Sequence, residues 1–121
     1  MQATDFWGEI EAIEVRTPLS ILREQAAALG PRTKNLVEAK VETEIAGTSF
    51  RHAFDLVVPS LDNYTYRLFE IQHDHDLYPI YVRTTAEQLT DEGAFIDWLR
   101  VRLTSPQTRK IVGNLLAQAQ S

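Results

Sequence analysis

The sequence predicts an α+β fold in which helices pack on a four-stranded antiparallel meander. Charged and apolar residues alternate from Val37 to Ile45, as they do in a strand with one buried and one solvated face. Four strand-like segments join through short turns, and apolar residues at helical spacing lie before and after them. The predicted order is α-α-β-β-β-β-α-α, in one domain covering residues 1–121.

Two helices are predicted before the sheet. The first covers Asp5 to Val15, where three apolar residues recur at helical spacing: Phe6, Ile10 and Ile13. The second begins at Thr17-Pro18, because Thr suits the N-cap and Pro the first helical position. It ends at Leu29, because Gly30-Pro31 is a typical stop signal.

The segment from Leu36 to Val58 predicts one hairpin that turns at Gly47-Thr48. Gly at the first turn position suits a type II′ turn, whose twist matches that of the flanking strands. Pairing across this turn starts with Ala46 opposite Ser49 and turns Val41 and Phe54 toward the core. It also sets Glu44 opposite Arg51 and Lys40 opposite Asp55, and opposite charges favour this register.

The second half of the chain completes the sheet and then returns to helix. Tyr64 to Gln72 is predicted as the third strand and Leu77 to Arg83 as the fourth, with Pro79 marking the fourth as an edge. Thr84 to Thr90 is a connection or a frayed helical turn. One helix is predicted from about Asp91 to Leu103, and a last one is capped by Ser105-Pro106.

The third strand leaves two alternatives open, because it carries apolar residues on both faces. A bulge near Arg67–Phe69 would return them all to the core. Without a bulge, the second face of the sheet carries an apolar patch that other helices or a second protein chain must cover. The residues of this predicted interface are Phe69, Ile71, Tyr78, Ile80 and Val82.

Composition excludes several classes of function. The net charge is −5, and its 17 acidic and 12 basic residues are spread evenly, so the concentrated basic surface typical of nonspecific nucleic-acid binding is missing. The chain has no cysteine, which excludes disulfides and thiolate metal sites. It has no apolar run long enough to span a bilayer, and its first seven residues lack signal-peptide features. We therefore expect a cytoplasmic protein that does not act at membranes.

Three residues on neighbouring strands suggest one catalytic alternative: Asp55, Glu70 and Gln72. An Asp on one strand and an acid-x-polar triplet on the next resembles the core of PD-(D/E)xK-type nucleases. The resemblance implies Mg²⁺ held by carboxylates and a metal-activated water that cleaves a phosphodiester. Gln72 replaces the usual lysine, and the two carboxylates share a face only if the strand contains the bulge. The competing interpretation makes Asp55 a surface partner of Lys40, with Arg67 as a second candidate partner.

Histidines suggest two further alternatives. His73, His75 and Asp76 lie between the third and fourth strands, where they suit either a Zn²⁺ or Mn²⁺ site or simply a polar turn. Without a bulge, His52 pairs with Glu70 beside Thr43, either as an acid/base unit or as a hydrogen-bonded polar edge of the core.

The sequence favours a small binding module without catalytic activity or cofactor over an enzyme. The expected partner is another protein or a second copy of the chain, because aromatic residues beside polar loops are typical of interfaces. Small acidic inhibitors of basic enzymes, such as immunity proteins or antitoxins, fit the charge. The PD-(D/E)xK-like hydrolase is the alternative function.

Overall fold

A computed structural model describes residues 5–121, so the first four residues of the predicted domain lie outside the described residues. Three helices and five strands follow one another, with a short 3-10 turn at Pro59–Leu61. Their order is α1 (Pro18–Arg32), β1 (Glu38–Ala46), β2 (Ser49–Val58), β3 (Tyr64–His73), β4 (Ile80–Val82), β5 (Gln88–Leu89), α2 (Glu92–Leu103) and α3 (Pro106–Ala119).

The five strands form one sheet in the order β1-β2-β3-β4-β5, and each neighbouring pair is antiparallel. The predicted α+β class and antiparallel sheet are confirmed, but the strand count is wrong. The additional strand β5 lies in Thr84 to Thr90, where the sequence predicts a connection or a helical turn. It pairs with β4, so β4 is an inner strand and Pro79 does not mark an edge.

The predicted helix over residues 5–15 is wrong, because this segment runs without regular secondary structure. Gly8 has a φ of +65°, which no right-handed helix contains. An isolated helix shorter than about 12–15 residues is marginal in water, so a helix here would need its apolar side covered by other residues. Those apolar side chains are exposed instead.

Helix α1 begins as the sequence predicts but ends three residues later. The Thr17 side chain accepts a hydrogen bond from the Ser20 backbone N–H at 3.1 Å, and Pro18 occupies the first turn. The helix continues through Gly30-Pro31 to Arg32. A Cβ on Gly30 would stand 3.0 Å from Oδ1 of Asn35, so this glycine allows a close approach within the helix and does not terminate it.

The β1–β2 hairpin has the predicted register, from Ala46 opposite Ser49 to Ala39 opposite Leu56. A type II′ turn requires a positive φ at its first central residue and a negative φ at its second. Gly47 has a φ of +64°, and the φ of Thr48 is not positive. The predicted buried face is covered only in part. Val37 is buried, but Ile45 near the turn is exposed, because this end of the hairpin extends beyond the helices.

A β-bulge in β3 settles the open question about the second face. Arg67 pairs with Asp55 and Phe69 with Phe54, which leaves Leu68 as the extra residue. The bulge keeps the apolar residues on the helix side both before and after it. The predicted apolar patch on the second face is therefore absent from the described residues. Four of its members are buried in the core and Tyr78 packs beside them, the buried four being Phe69, Ile71, Ile80 and Val82.

The core lies between the sheet and helices α1 and α2. Leu22 of α1 and both Phe95 and Leu99 of α2 are buried against the sheet. The bulge is tied to this layer, because Arg102 donates a hydrogen bond of 3.0 Å to the backbone carbonyl of Leu68. Within residues 5–121, no helix has both the length and the apolar character needed to cross a membrane.

Candidate functional site

The bulge brings the nuclease-like residues together on the second face of the sheet. Asp55 and Glu70 are bridged by Arg67, whose Nε lies 3.0 Å from Oδ1 of Asp55 and whose Nη1 lies 3.4 Å from Oε2 of Glu70. Nε of Arg83 lies 2.9 Å from the other oxygen of Glu70. Gln72 accepts from Arg83 at 3.0 Å through its side-chain oxygen. The carboxylates therefore face arginines.

These residues do not fit a Mg²⁺ ion. Both oxygens of Asp55 accept from Arg67, and each oxygen of Glu70 contacts one of the two arginines. A cation would have to displace these guanidinium groups, which repel it by charge. The hydrogen bond to Asp55 is also the main cause that raises the pKa of Arg67. Among the described residues, no group of three or more His, Asp or Glu is placed to hold a metal.

The predicted cross-strand pairs on this face have the expected backbone register but different side-chain partners. Lys40 stands opposite Asp55, yet its Nζ contacts Glu42 at 3.0 Å. The buried Asp55 carboxylate is bound by Arg67 instead, because the bulge delivers that arginine directly opposite it. Of the two partners that the competing interpretation gives Asp55, Lys40 is therefore wrong and Arg67 is present, although the Asp55 carboxylate is buried and does not lie at the surface.

On the helix side, three polar side chains form a continuous hydrogen-bonded chain across β1, β2 and β3. Oγ1 of Thr43 lies 2.9 Å from Nδ1 of His52, and Nε2 of His52 lies 2.8 Å from Nε2 of His73. Nδ1 of His73 lies 2.6 Å from the backbone carbonyl of Asp74. Both imidazoles are buried, with 3% and 4% of their surface exposed. We call this set the histidine chain.

The bonds of the histidine chain fix the tautomer of each ring. The carbonyl of Asp74 only accepts, so Nδ1 of His73 carries a hydrogen. In neutral His73, Nε2 is then an acceptor, and Nε2 of His52 must donate to it. Nδ1 of His52 therefore accepts from the Thr43 hydroxyl. All four ring nitrogens are satisfied when both rings are neutral.

Burial is the main cause that lowers the pKa of His52 to about 4, and the electrostatic effects of the neighbouring His73 and Arg23 lower it further. His52 is therefore uncharged near neutral pH. The predicted pairing of His52 with Glu70 is wrong, because the bulge sets His52 opposite Ile71 and turns Glu70 to the second face. The predicted contact of His52 with Thr43 is present.

The predicted metal ligands His73, His75 and Asp76 are not brought together. Both ring nitrogens of His73 are engaged in the histidine chain. His75 has 84% of its side chain exposed, and its Nε2 lies 3.4 Å from Oδ1 of Asp76 in solvent. Of the two interpretations, the geometry favours the polar turn.

The described residues before α1 form an apolar and acidic segment outside the core. We call residues 5–15 the N-terminal segment. Phe6 is 96% exposed, Trp7 78%, Ile10 73% and Ile13 74%. The same eleven residues carry four carboxylates and no basic side chain. Folding thus leaves the largest apolar side chains of this segment in water.

The chain after this segment is held firmly at Arg16. Its backbone N–H donates to Glu92 at 3.2 Å, and its carbonyl accepts from the Tyr78 hydroxyl at 3.0 Å. Burial raises the pKa of Tyr78 to about 12, so this hydroxyl stays protonated and keeps donating. Arg16 also pairs with Glu24 on α1. The N-terminal segment therefore leaves the body of the protein from a fixed point.

An open groove separates the second half of α1 from α3, and we call it the α1–α3 groove. Its volume is about 650 Å³. Its floor is the sheet, at Phe54, Leu56 and Leu68, and Leu29 and Val112 are on its helical walls. The apolar stripe of α3 is only half-buried as a result. Arg32 and Arg109 stand at the rim, and the described residues that line the groove include no carboxylate.

Comparison with known proteins finds no match for this chain among family models, curated proteins or solved structures.

Sequence reasoning missed three components of these sites. His73 lies two residues after Ile71 in β3, so it shares the core face with Ile71. This alternation would have placed His73 in the core once the bulge was accepted. Arg83 was not recognised as a partner of the Glu70 carboxylate, because its placement also depends on the bulge. The α1–α3 groove left no signal, because the apolar pattern of a helix does not encode its distance from another helix.

Proposed function

We propose that this protein is a cytoplasmic protein-interaction module without catalytic activity, and that its binding element is the N-terminal segment. The observation that carries the proposal is the exposure of Phe6 and Trp7, which stand almost entirely in water beside Ile10 and Ile13. Burying such side chains contributes about 1.5–3 kcal/mol each, so a partner that covers them gains affinity from every one.

The spacing of these residues supports a specific mode of binding. Phe6, Ile10 and Ile13 are related as i, i+4 and i+7, which is the anchor pattern of an amphipathic helix that enters a groove. The segment lacks a helix in the structure because nothing covers that stripe. A partner with an apolar groove supplies the missing surface, and helix formation is then coupled to binding.

The charge of the segment supports a basic partner. Its four carboxylates lie between and beside the apolar anchors and stay at the rim of an interface when the anchors are buried. Such charges raise the association rate with a basic surface and disfavour acidic ones. The titratable groups on the sheet already have partners within the protein: Asp55 and Glu70 bind arginines, and His52 binds His73. The N-terminal segment is therefore the better candidate for binding another molecule.

Site-specific photocrosslinking in cells tests the proposal. Phe6 is replaced by benzoylphenylalanine in the full chain, and Val101 is replaced in the same way as a control, because it is an apolar residue of α2 that is 69% exposed. We expect a discrete protein adduct from position 6 that excess synthetic peptide of residues 5–15 suppresses. The same peptide with Phe6→Ala and Trp7→Ala should not suppress it.

Two outcomes would overturn the proposal. Adducts of equal yield and pattern from positions 6 and 101 would mean that the segment collides with proteins without binding them. Adducts that the altered peptide suppresses as well as the natural one would mean that the aromatic anchors do not carry the interaction.

A further inference from the structure

We infer that the α1–α3 groove receives the N-terminal segment of a second copy of this chain, so that two copies form a reciprocal dimer. This inference rests on the proposed function, for which it names the partner. It joins the exposed apolar segment and the open apolar groove, two surfaces that a single copy leaves uncovered.

Charge supports the match between segment and groove. The segment carries four carboxylates and no basic residue, whereas the charged side chains that line the groove are Arg32 and Arg109. Both arginines are exposed, and neither takes part in an ion pair within residues 5–121. The acidic segment thus brings counter-charges to a rim that has none of its own.

The apolar parts of the two surfaces also match. The groove has a floor of Phe54, Leu56 and Leu68, and its volume of about 650 Å³ lies within the roughly 300–1,000 Å³ of pockets that enclose ligands. Phe6 and Trp7 are aromatic side chains of the kind that anchor interfaces in such pockets. Their insertion would also cover Val112 and the half-buried stripe of α3.

The geometry of Arg16 favours a second copy over the same copy as the source of the segment. Arg16 is fixed at the start of α1 by Glu92 and Tyr78, whereas the groove lies along the last turns of α1, near Leu29. The two points are roughly 18 Å apart along the helix, whereas a helical segment from Phe6 to Arg16 spans only about 15 Å. In this copy the segment leaves its own groove open, and its apolar side chains stay in water.

Reciprocal exchange gives an interface of adequate size. Each copy contributes the eleven residues of the segment and the fourteen that line the groove. This total lies within the roughly 20–30 residues per side of a stable protein interface. Because each segment enters the groove of the other copy, the contact is closed by a two-fold axis and does not propagate into a polymer.

Sedimentation equilibrium of the full chain across the micromolar range tests the inference. We expect a species of twice 13.8 kDa that dissociates on dilution. Arg109→Glu should raise its dissociation constant by about tenfold or more, which corresponds to roughly 1.4 kcal/mol. Lys110→Glu is the matched control: it makes the same charge change at the next residue of α3, outside the groove lining, and should leave the constant unchanged. Phe6→Ala with Trp7→Ala should give a monomer.

Crosslinking with mixed isotopes identifies the source of the segment. Chains with benzoylphenylalanine at position 6 are mixed after labelling half of them with ¹⁵N, and crosslinked peptides that join residue 6 to the groove should then combine both labels. Peptides that join residue 6 to the groove of the same chain would overturn the inference, as would a monomer at all concentrations or a dimer that Arg109→Glu leaves intact. Failure here, together with peptide-sensitive adducts to another protein in cells, would leave the proposed function standing. Failure of the dimer tests without any peptide-sensitive adduct in cells would overturn both the dimer and the proposed function.

Discussion

Acidification from about pH 8 to about pH 5 should destabilise this protein through His52. Burial, together with the electrostatic effects of His73 and Arg23, lowers the pKa of His52 to about 4 in the folded state from 6.5 in the unfolded state. Between these values the unfolded chain binds a proton that the folded chain excludes. The contribution of His52 to stability is therefore fully present above pH 6.5 and is lost as the pH falls toward 4.

The magnitude follows from the shift. One pKa unit is worth about 1.4 kcal/mol, so the whole shift from 6.5 to about 4 corresponds to about 3 kcal/mol. At about pH 5 roughly 2 kcal/mol of this is lost. The geometry agrees with the sign, because a second proton between His52 and His73 would point two N–H groups at each other across 2.8 Å.

Urea unfolding followed by circular dichroism, at several pH values between 8 and 5, measures this loss. In His52→Gln the amide still donates toward His73 but does not titrate, so its free energy of unfolding should fall by about 2 kcal/mol less than that of the natural protein over this range. His75→Gln is the control: His75 is exposed, so its loss should leave the pH dependence unchanged. Equal pH slopes for the natural protein and His52→Gln would refute the reasoning.

Four further substitutions test the fold and the polar face. Gly47→Val should lower the free energy of unfolding by about 1–3 kcal/mol, because a β-branched residue is strained at a φ of +64°; an unchanged thermal midpoint would contradict this. Leu99→Ala should cost about 2–5 kcal/mol in urea unfolding, because it leaves a cavity under the sheet; a loss near zero would place Leu99 outside the core. Asp55→Asn should cost about 1.5–3 kcal/mol, because it weakens the charge-assisted bonds to Arg67. Lys40→Ala should cost less than about 1 kcal/mol, since its contact with Glu42 is exposed; equal losses at the two positions would show that burial does not distinguish them.

The parts of the fold that the sequence predicts well are those with a local physical signal. The hairpin register followed from strict alternation and from Gly47, because a shift of one residue would have exposed Val41 and Phe54. The caps at Thr17 and Ser105 followed in the same way, because the side chain of each accepts from a backbone N–H three residues later.

The remaining errors arise where contacts between residues distant in sequence determine the structure. Leu68 and Phe69 are both apolar, so the sequence alone did not show which of them is the extra residue of the bulge. The position of the bulge determines the partners of Glu70, His52 and the arginines. Because the sequence did not give that position, it did not give the partners in the two sites either. The N-terminal segment has the spacing of a helix but lacks the packing surface that stabilises one. Helix α1 passes through Gly30-Pro31 to Arg32, and the close approach of Asn35 to Gly30 has no signal in the sequence of the helix itself.

Strand β1 is an edge of the sheet, and its four charged residues have a consequence for encounters between copies. Glu38, Lys40, Glu42 and Glu44 alternate along a strand that has a neighbour on one side only. An unprotected edge of nine residues would offer its free backbone groups to another chain and begin a continuous sheet. Two copies that meet edge to edge at β1 would place their predominantly negative side chains close together, and these side chains would repel each other. The charges of this edge thus oppose the pairing of two copies into a continuous sheet.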